Sequence, residues 1–223
     1  MVSRDMPNIP EEVACVTTLG SLLGIAMANV QDAPSVFGPT ERGIDVVFDL
    51  EGRRIGAQHT VFHFDEGTPG QRGSQARATE ERAARQTTGA TAMWLDPNWQ
   101  RALVYRINEK IDIADRHDNR DVVAATWLVV SALLPRHGAA ASTAILEALI
   151  TTTELDRLFN AALTASRFDR VYLMLHLGQV VFGWHRGGVW QRVADPDARG
   201  REEGRRQALG TLDLIRRHGK GEL

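Results

Sequence analysis

A chain of 223 residues, 43% hydrophobic and 24% charged, has enough apolar content for one globular domain with a sizeable core. Its 26 basic and 28 acidic side chains leave a formal charge of −2, which excludes a generally basic surface but leaves room for a local basic patch. The single cysteine, Cys15, excludes an internal disulfide and fits a reducing compartment. It reads as a small apolar residue packed in a helix rather than as a nucleophile.

Pro10, Glu11 and Glu12 open a helix, with proline near the first turn and acids at the positive end of the dipole. The helix is predicted to run to about Asn29, with Val16, Leu19, Leu23 and Met27 on one stripe and Glu12 at its head. Val13 to Ala28 has an apolar bias, but Thr17, Thr18 and Ser21 interrupt it. It is short of the roughly 20 residues that span a bilayer, and no secretory signal is read before it. The expectation is a soluble, cytoplasmic protein with no membrane partner. A Pro- and Gly-rich loop from Asp32 to Gly43 follows.

Ile44 to Asp49, the corner at Leu50 to Arg53, and Arg54 to Thr60 read as a hairpin. With Glu51 and Gly52 as the turn, Phe48 faces Ile55 and Val46 faces Ala57, while Asp49 meets Arg54 and Asp45 meets Gln58. Cross-strand partners lie about 4.5–5.5 Å apart at Cβ, so Asp45 and Gln58 would share one ligand, with Thr60 further along the same face. A three-residue turn through Leu50 would set Asp45 against Ala57 instead. The Asp49–Arg54 charge pair and the apolar matching favour the first register.

The second strand is predicted over 53–64, then an extended loop over 66–74 and a polar helix over 75–86. A longer helix over 97–116 buries Leu103, Ile107 and Ile111, with Lys110 beside them. Val122 to Leu134 is nearly continuous apolar sequence and reads as a strand buried on both faces. A helix over 142–164, strands over 170–177, 180–184 and 189–193, and a charged helix over 199–217 complete the chain. This order predicts the α/β class, a mixed central sheet flanked by helices. Residues 1–195 form the domain, and 196–223 a charged helix packed on it or at a subunit contact.

The hairpin resembles the PD-(D/E)XK nuclease-like superfamily, whose members carry an Asp near the start of one strand and Glu-x-Lys, or a variant, on the next. Here the matching residues are Asp45 and Gln58-His59-Thr60, so an amide replaces the carboxylate and a threonine the lysine. The order of elements matches over roughly residues 10–185, and only the hairpin carries the motif. The resemblance implies a restriction-endonuclease-like core and a Mg²⁺ or Mn²⁺ site held by Asp45, Gln58, the His59 carbonyl and Glu12. Asp45, Gln58, Thr60 and Lys110 would be the catalytic set, Lys110 supplying the cation that Thr60 lacks. Exchanging Glu for Gln removes one formal charge and weakens attraction to a dication.

Arg72, Arg77, Arg82 and Arg85 form the best surface for nucleic-acid phosphates. Glu66, Glu80 and Glu81 nearly cancel their charge, which favours a solvated face. Arg199, Arg201, Arg205, Arg206, Arg216 and Arg217 are likewise interleaved with acids. His59 and His63 share a strand face but lie about 13 Å apart, too far to share a zinc. Trp184 and Trp190, flanking Gly187-Gly188, suit packing better than base stacking. No Gly-rich nucleotide loop appears, so no nucleotide cofactor is expected. Four readings stay open: a metal-dependent nuclease or a degenerate relative that binds nucleic acid; a non-catalytic protein-interaction module, including a homodimer; a small-molecule enzyme on the same scaffold; and a plain solvent-facing strand pair.

Overall fold

The computed structural model describes residues 10–38, 43–63, 99–133, 150–175 and 180–194. Their elements are α1 (Glu11–Leu23), β1 (Ala28–Asp32), α2 (Ala33–Phe37), β2 (Val46–Leu50), β3 (Arg53–His63), α3 (Trp99–Arg116), β4 (Ala125–Leu133), α4 (Thr152–Ala165), β5 (Arg170–Leu175), β6 (Val180–His185) and β7 (Gln191–Ala194). The seven strands form one mixed sheet in chain order. β3, β4 and β5 are parallel, and the outer pairs on both sides are antiparallel. The α/β architecture expected from the alternation of elements is present. The predicted helix over 75–86, the start of the one over 142–164 and the charged helix over 199–217 lie outside the described residues.

Strand alternation sorts the core into two layers. Val46, Phe48, Ile55, Ala57, Trp127, Val129, Tyr172 and Met174 turn to α1, which answers with Val16 and Leu19. Phe62, Leu128, Val130, Ala132, Val171 and Leu173 turn to α3 and α4, meeting Leu103, Ile107, Leu155 and Phe159. β4 is buried on both faces, as its apolar run requires. On the α1 side, Trp127 packs edge-on to Phe48 at 5.1 Å and beside Tyr172 at 5.2 Å. α4 starts with a side-chain N-cap: the Thr151 hydroxyl accepts from Glu154 N–H at 3.2 Å. Gln100 Nε2 donates to Glu154 at 2.7 Å, which ties α3 to α4.

Three expectations need correction. The first helix stops at Leu23 rather than Asn29, because Gly24 adopts a left-handed C-cap (φ 65°) and its N–H returns to Gly20 and Ser21. Met27 therefore belongs to the turn beyond, and its side chain folds back so closely on Gly20 that an added methyl there would sit 2.8 Å from the sulfur. The residues read as helix end and loop form β1 and the short α2, α2 being capped by the Asp32 side chain on Ser35 N–H. β4 begins at Ala125 rather than Val122, because the Val122 and Val123 N–H groups turn back to the Asn119 carbonyl.

The hairpin register is the first of the two expected: Val46 opposes Ala57, Phe48 opposes Ile55 and Asp49 opposes Arg54, with 3.6 Å between the charged groups of the last pair. Both turn residues have positive φ, Glu51 at 51° and Gly52 at 74°, as a type I′ turn demands. Glutamate is strained there, whereas asparagine tolerates the left-handed region. Glu51→Asn is therefore expected to stabilise the protein by about 0.5–1 kcal/mol, read as a rise in thermal midpoint with no change in activity or ligand binding.

Candidate functional site

The ladder between β2 and β3 is regular from Leu50 to Val46, then breaks. Asp45 N–H donates to the Ala57 carbonyl at 2.9 Å, so Asp45 and Val46 both face Ala57 in the manner of a β-bulge. The expectation that Asp45 lies directly opposite Gln58 is corrected here: the extra residue shifts its backbone out of register. The Asp45 carbonyl turns away to accept from Ala33 N–H at 2.9 Å. Its carboxylate takes over the ladder, with Oδ2 accepting the His59 backbone N–H at 2.7 Å. In an antiparallel ladder a residue that points its N–H at the partner strand points its C=O the same way. The His59 carbonyl therefore faces the side where Asp45 sits.

Lys110, on α3, brings its Nζ to 3.9 Å from the same Oδ2. The acid is 37% exposed and the lysine 19%, so one side of the pair opens to solvent. The sequence reading placed Lys110 beside the buried stripe of its helix and within reach of the hairpin; both features are present.

Gln58 lies one residue before His59 and turns to the α3 side. It is 1% exposed, and neither its amide oxygen nor its amide nitrogen has a hydrogen-bond partner. An unmade buried bond costs about 1–3 kcal/mol per group, so this side chain is expensive to keep as it stands. Gly43 makes the space for it. A methyl group on Gly43 would sit 2.8 Å from Ile113 Cγ2, 3.2 Å from Gln58 Nε2 and 3.3 Å from His117 Cδ2, and its φ of 63° also favours glycine. Lys110 and Ile113 of α3 lie along Asp45 and Gly43, and His117, just past the helix end, joins them beside Gly43. Gly43, Ile113 and His117 were not singled out from the sequence, although the i, i+3 spacing of Lys110 and Ile113 was available.

His59 places its ring on the opposite, α1 side. Nε2 lies 3.0 Å from Ser131 Oγ, and Ser131 Oγ lies 2.8 Å from Cys15 Sγ. Burial pushes the His59 imidazole below its ordinary value; Glu12, Asp45 and Glu11 oppose that shift and Lys110 adds to it. Glu12 thus acts on the same histidine as Asp45, but from the helix on the other face. Burial raises the Cys15 thiol, with Glu11 and Glu12 adding to the rise and the Ser131 bond opposing it. A thiol so held stays protonated at neutral pH, consistent with a packing role. Ser131 is the polar residue inside the apolar run of β4, and that was the sequence signal for it. Thr60, at the motif's lysine position, is 8% exposed and cannot replace a cation.

Among the described residues no group of three or more His, Cys, Asp and Glu side chains is placed to hold a metal. The start of β2 offers the Asp45 carboxylate and the His59 backbone carbonyl, with the Gln58 amide buried one residue away on the α3 side. These are hard oxygen donors of the kind Mg²⁺ or Mn²⁺ takes, with a single formal charge among them. The residues fit such an ion, weakly.

Arg72, Arg77, Arg82 and Arg85 lie outside the described residues. Three other arginines, Arg120, Arg167 and Arg186, line a groove of about 460 Å³ at the start of β4 and β5, shared with His117. They are committed to acids: Arg120 to Asp118 at 2.6 Å, Arg167 to Asp118 at 3.5 Å and Arg186 to Asp169 at 3.5 Å. Trp184 and Trp190 are each 2% exposed, which excludes base stacking by either. Trp184 Nε1 donates to Asn160 at 3.0 Å, and Trp190 packs on Phe159.

No helix among the described residues is long and apolar enough to cross a membrane. Comparisons with protein-family models, curated proteins and solved structures found no match.

Two outcomes follow. Replacing the orphaned amide with a thioether of similar volume, Gln58→Met, is expected to raise stability without ligand by about 1–2 kcal/mol, measured by denaturant melts. For His59, the unfolded chain with its ordinary pKa near 6.5 binds a proton before the folded protein does. Its contribution is therefore complete above that pH and is lost as pH falls below it, by at most about 1.4 kcal/mol per pH unit. Melts of wild type and His59→Gln between pH 7.5 and 5 check the sign: the wild type should lose more stability on acidification.

Proposed function

We propose that the protein is a metal-dependent phosphodiesterase of nuclease type, built on a PD-(D/E)XK-like core, with its site at the bulged start of β2. The supporting observation is the convergence of Lys110 on Asp45 beside the orphaned amide of Gln58. A functional site explains why an amide with both heads unpaired is kept in the interior. The order helix, three antiparallel strands, helix, parallel strand also accords with that core.

Within this reading each residue has a task. Asp45, fixed by the His59 N–H, would hold a dication with its remaining oxygen and the His59 carbonyl, and Gln58 would add its amide oxygen only after the buried side chain turned outward. A bound dication would polarise the phosphoryl oxygen and acidify its own water. Lys110 supplies the positive charge that the motif ordinarily carries two residues after Gln58, and it can stabilise charge developing on the phosphate. Glu12 acts on His59 from behind and holds the electrostatic balance there. The substrate would be a nucleic-acid strand.

A second reading has its own support. The site offers one carboxylate, and one of its oxygens already serves two partners, as suits a retired site on a protein-interaction module. Incubating the protein with single- and double-stranded DNA and RNA in Mg²⁺ or Mn²⁺ separates the two. The nuclease reading expects metal-dependent cleavage that drops by about 10²-fold or more in Asp45→Ala and in Lys110→Ala. Activity unchanged in Asp45→Ala would dismiss this site. A stable dimer with neither cleavage nor metal binding would favour the interaction module.

A further inference from the structure

Asp45 brings one negative charge to the start of β2, and Lys110 stands against it. The Lys110 Nζ lies 3.9 Å from Asp45 Oδ2, the same oxygen that accepts the His59 N–H at 2.7 Å. At that distance the contact is an ion pair without a hydrogen bond. The ammonium therefore neutralises the acid without spending a donor on it. The lysine side chain is 19% exposed, which confines its charge to this corner and keeps it from swinging freely into solvent. The two charges cancel, and the pair as it stands is neutral. Glu11 and Glu12 do not tip this balance, because α1 brings them to the other face of the sheet, behind the His59 ring.

A dication entering such a pair meets an attraction and a repulsion of similar reach. An ammonium about 5 Å from a dication weakens its binding about tenfold or more, even at the dielectric constant of water. A phosphate changes the sum. It offers the ammonium full charge and several oxygens at hydrogen-bonding distance, where Asp45 offers one oxygen already shared with a backbone N–H. We infer that Lys110 gates the metal site: it suppresses binding of a divalent cation to Asp45 until a phosphate of the substrate draws it off the acid. The inference rests on the metal-dependent reading above and adds its regulation. Without substrate the lysine holds the place of the ion's charge, and with substrate it turns to the phosphate and leaves the carboxylate to the ion. The coupling is reciprocal, so the bound ion tightens the hold on the phosphate by the same factor.

Titration calorimetry of the full chain with Mn²⁺ tests this, with and without a saturating five-residue deoxyoligonucleotide whose phosphorothioate linkages resist hydrolysis. A methylphosphonate version serves as the uncharged control. The wild type should bind Mn²⁺ about tenfold more tightly with the charged oligonucleotide, a coupling within the usual range for linked sites, and no more tightly with the uncharged one. Lys110→Met, which keeps the apolar stem and loses the charge, should bind Mn²⁺ alone about tenfold more tightly than wild type, with the coupling reduced to about twofold or less. Lys110→Arg, which keeps the charge, should behave as wild type. A lysine that merely supported the fold would weaken the ion when removed, so the direction of the change is decisive. Thermal melts check that each variant is folded, and Lys110→Gln replaces Lys110→Met if the latter is not. Lys110→Met binding no tighter than wild type, or with its coupling undiminished, would overturn the inference. So would wild-type binding indifferent to the charged oligonucleotide, or tighter binding in Lys110→Met that survives the further change Asp45→Ala. Absence of Mn²⁺ binding to wild type and Lys110→Met in every arm would instead remove the metal-dependent reading beneath it.

Discussion

The hydrogen bond from the His59 N–H to the Asp45 carboxylate, 2.7 Å long, governs the whole corner of the molecule. At that point the backbone pairing of β2 with β3 gives out, and a side chain takes over the acceptor role. A buried backbone donor without a partner is costly, so the sheet cannot fray there while the carboxylate is in place. The same bond fixes one oxygen of the acid beside the His59 main chain. Structure and chemistry therefore draw on one group. Losing the carboxylate strips β3 of a hydrogen bond as well as removing the site's charge.

The sheet holds this corner still. β3 pairs with β4 over nine positions and β4 with β5 over six. Its two faces are filled independently, by α1 on one side and by α3 with α4 on the other. That division carries through to the site. On one side are Gln58, Lys110, Ile113 and His117; on the other are His59, Ser131, Cys15 and the acids of α1. His59 belongs to both, through its main chain in the plane of the sheet and its ring beneath it. The arginine groove at the far end of α3 is neutralised by its own aspartates and reads as architecture.

Much of the fold was legible in the residues. The alternation of Val46, Phe48, Ile55 and Ala57 set the hairpin register, and the opposed charges of Asp49 and Arg54 agreed with it. The apolar run of β4 announced a strand covered twice, and the i, i+4, i+8 spacing of Leu103, Ile107 and Ile111 announced α3. β1 was missed because Met27 continues the helical stripe in sequence while the left-handed Gly24 has already ended the helix. The bulge at Asp45 was missed for a related reason: one extra residue changes nothing in composition or periodicity, and only its hydrogen bonds reveal it. The proximity of Lys110 to Asp45 could be anticipated from the family resemblance, but the unsatisfied state of Gln58 could not. Satisfaction depends on what Gly43, Ile113 and His117 bring from elsewhere, and none of them can donate to or accept from the amide where they stand.

The most direct measurement is a crystal structure of the protein grown with Mn²⁺ and a short oligonucleotide, collected at the manganese absorption edge. The account requires an anomalous peak bounded by the Asp45 carboxylate and the His59 carbonyl, with Lys110 facing a phosphate. No anomalous density at the start of β2, or a manganese ion bound elsewhere, would contradict it.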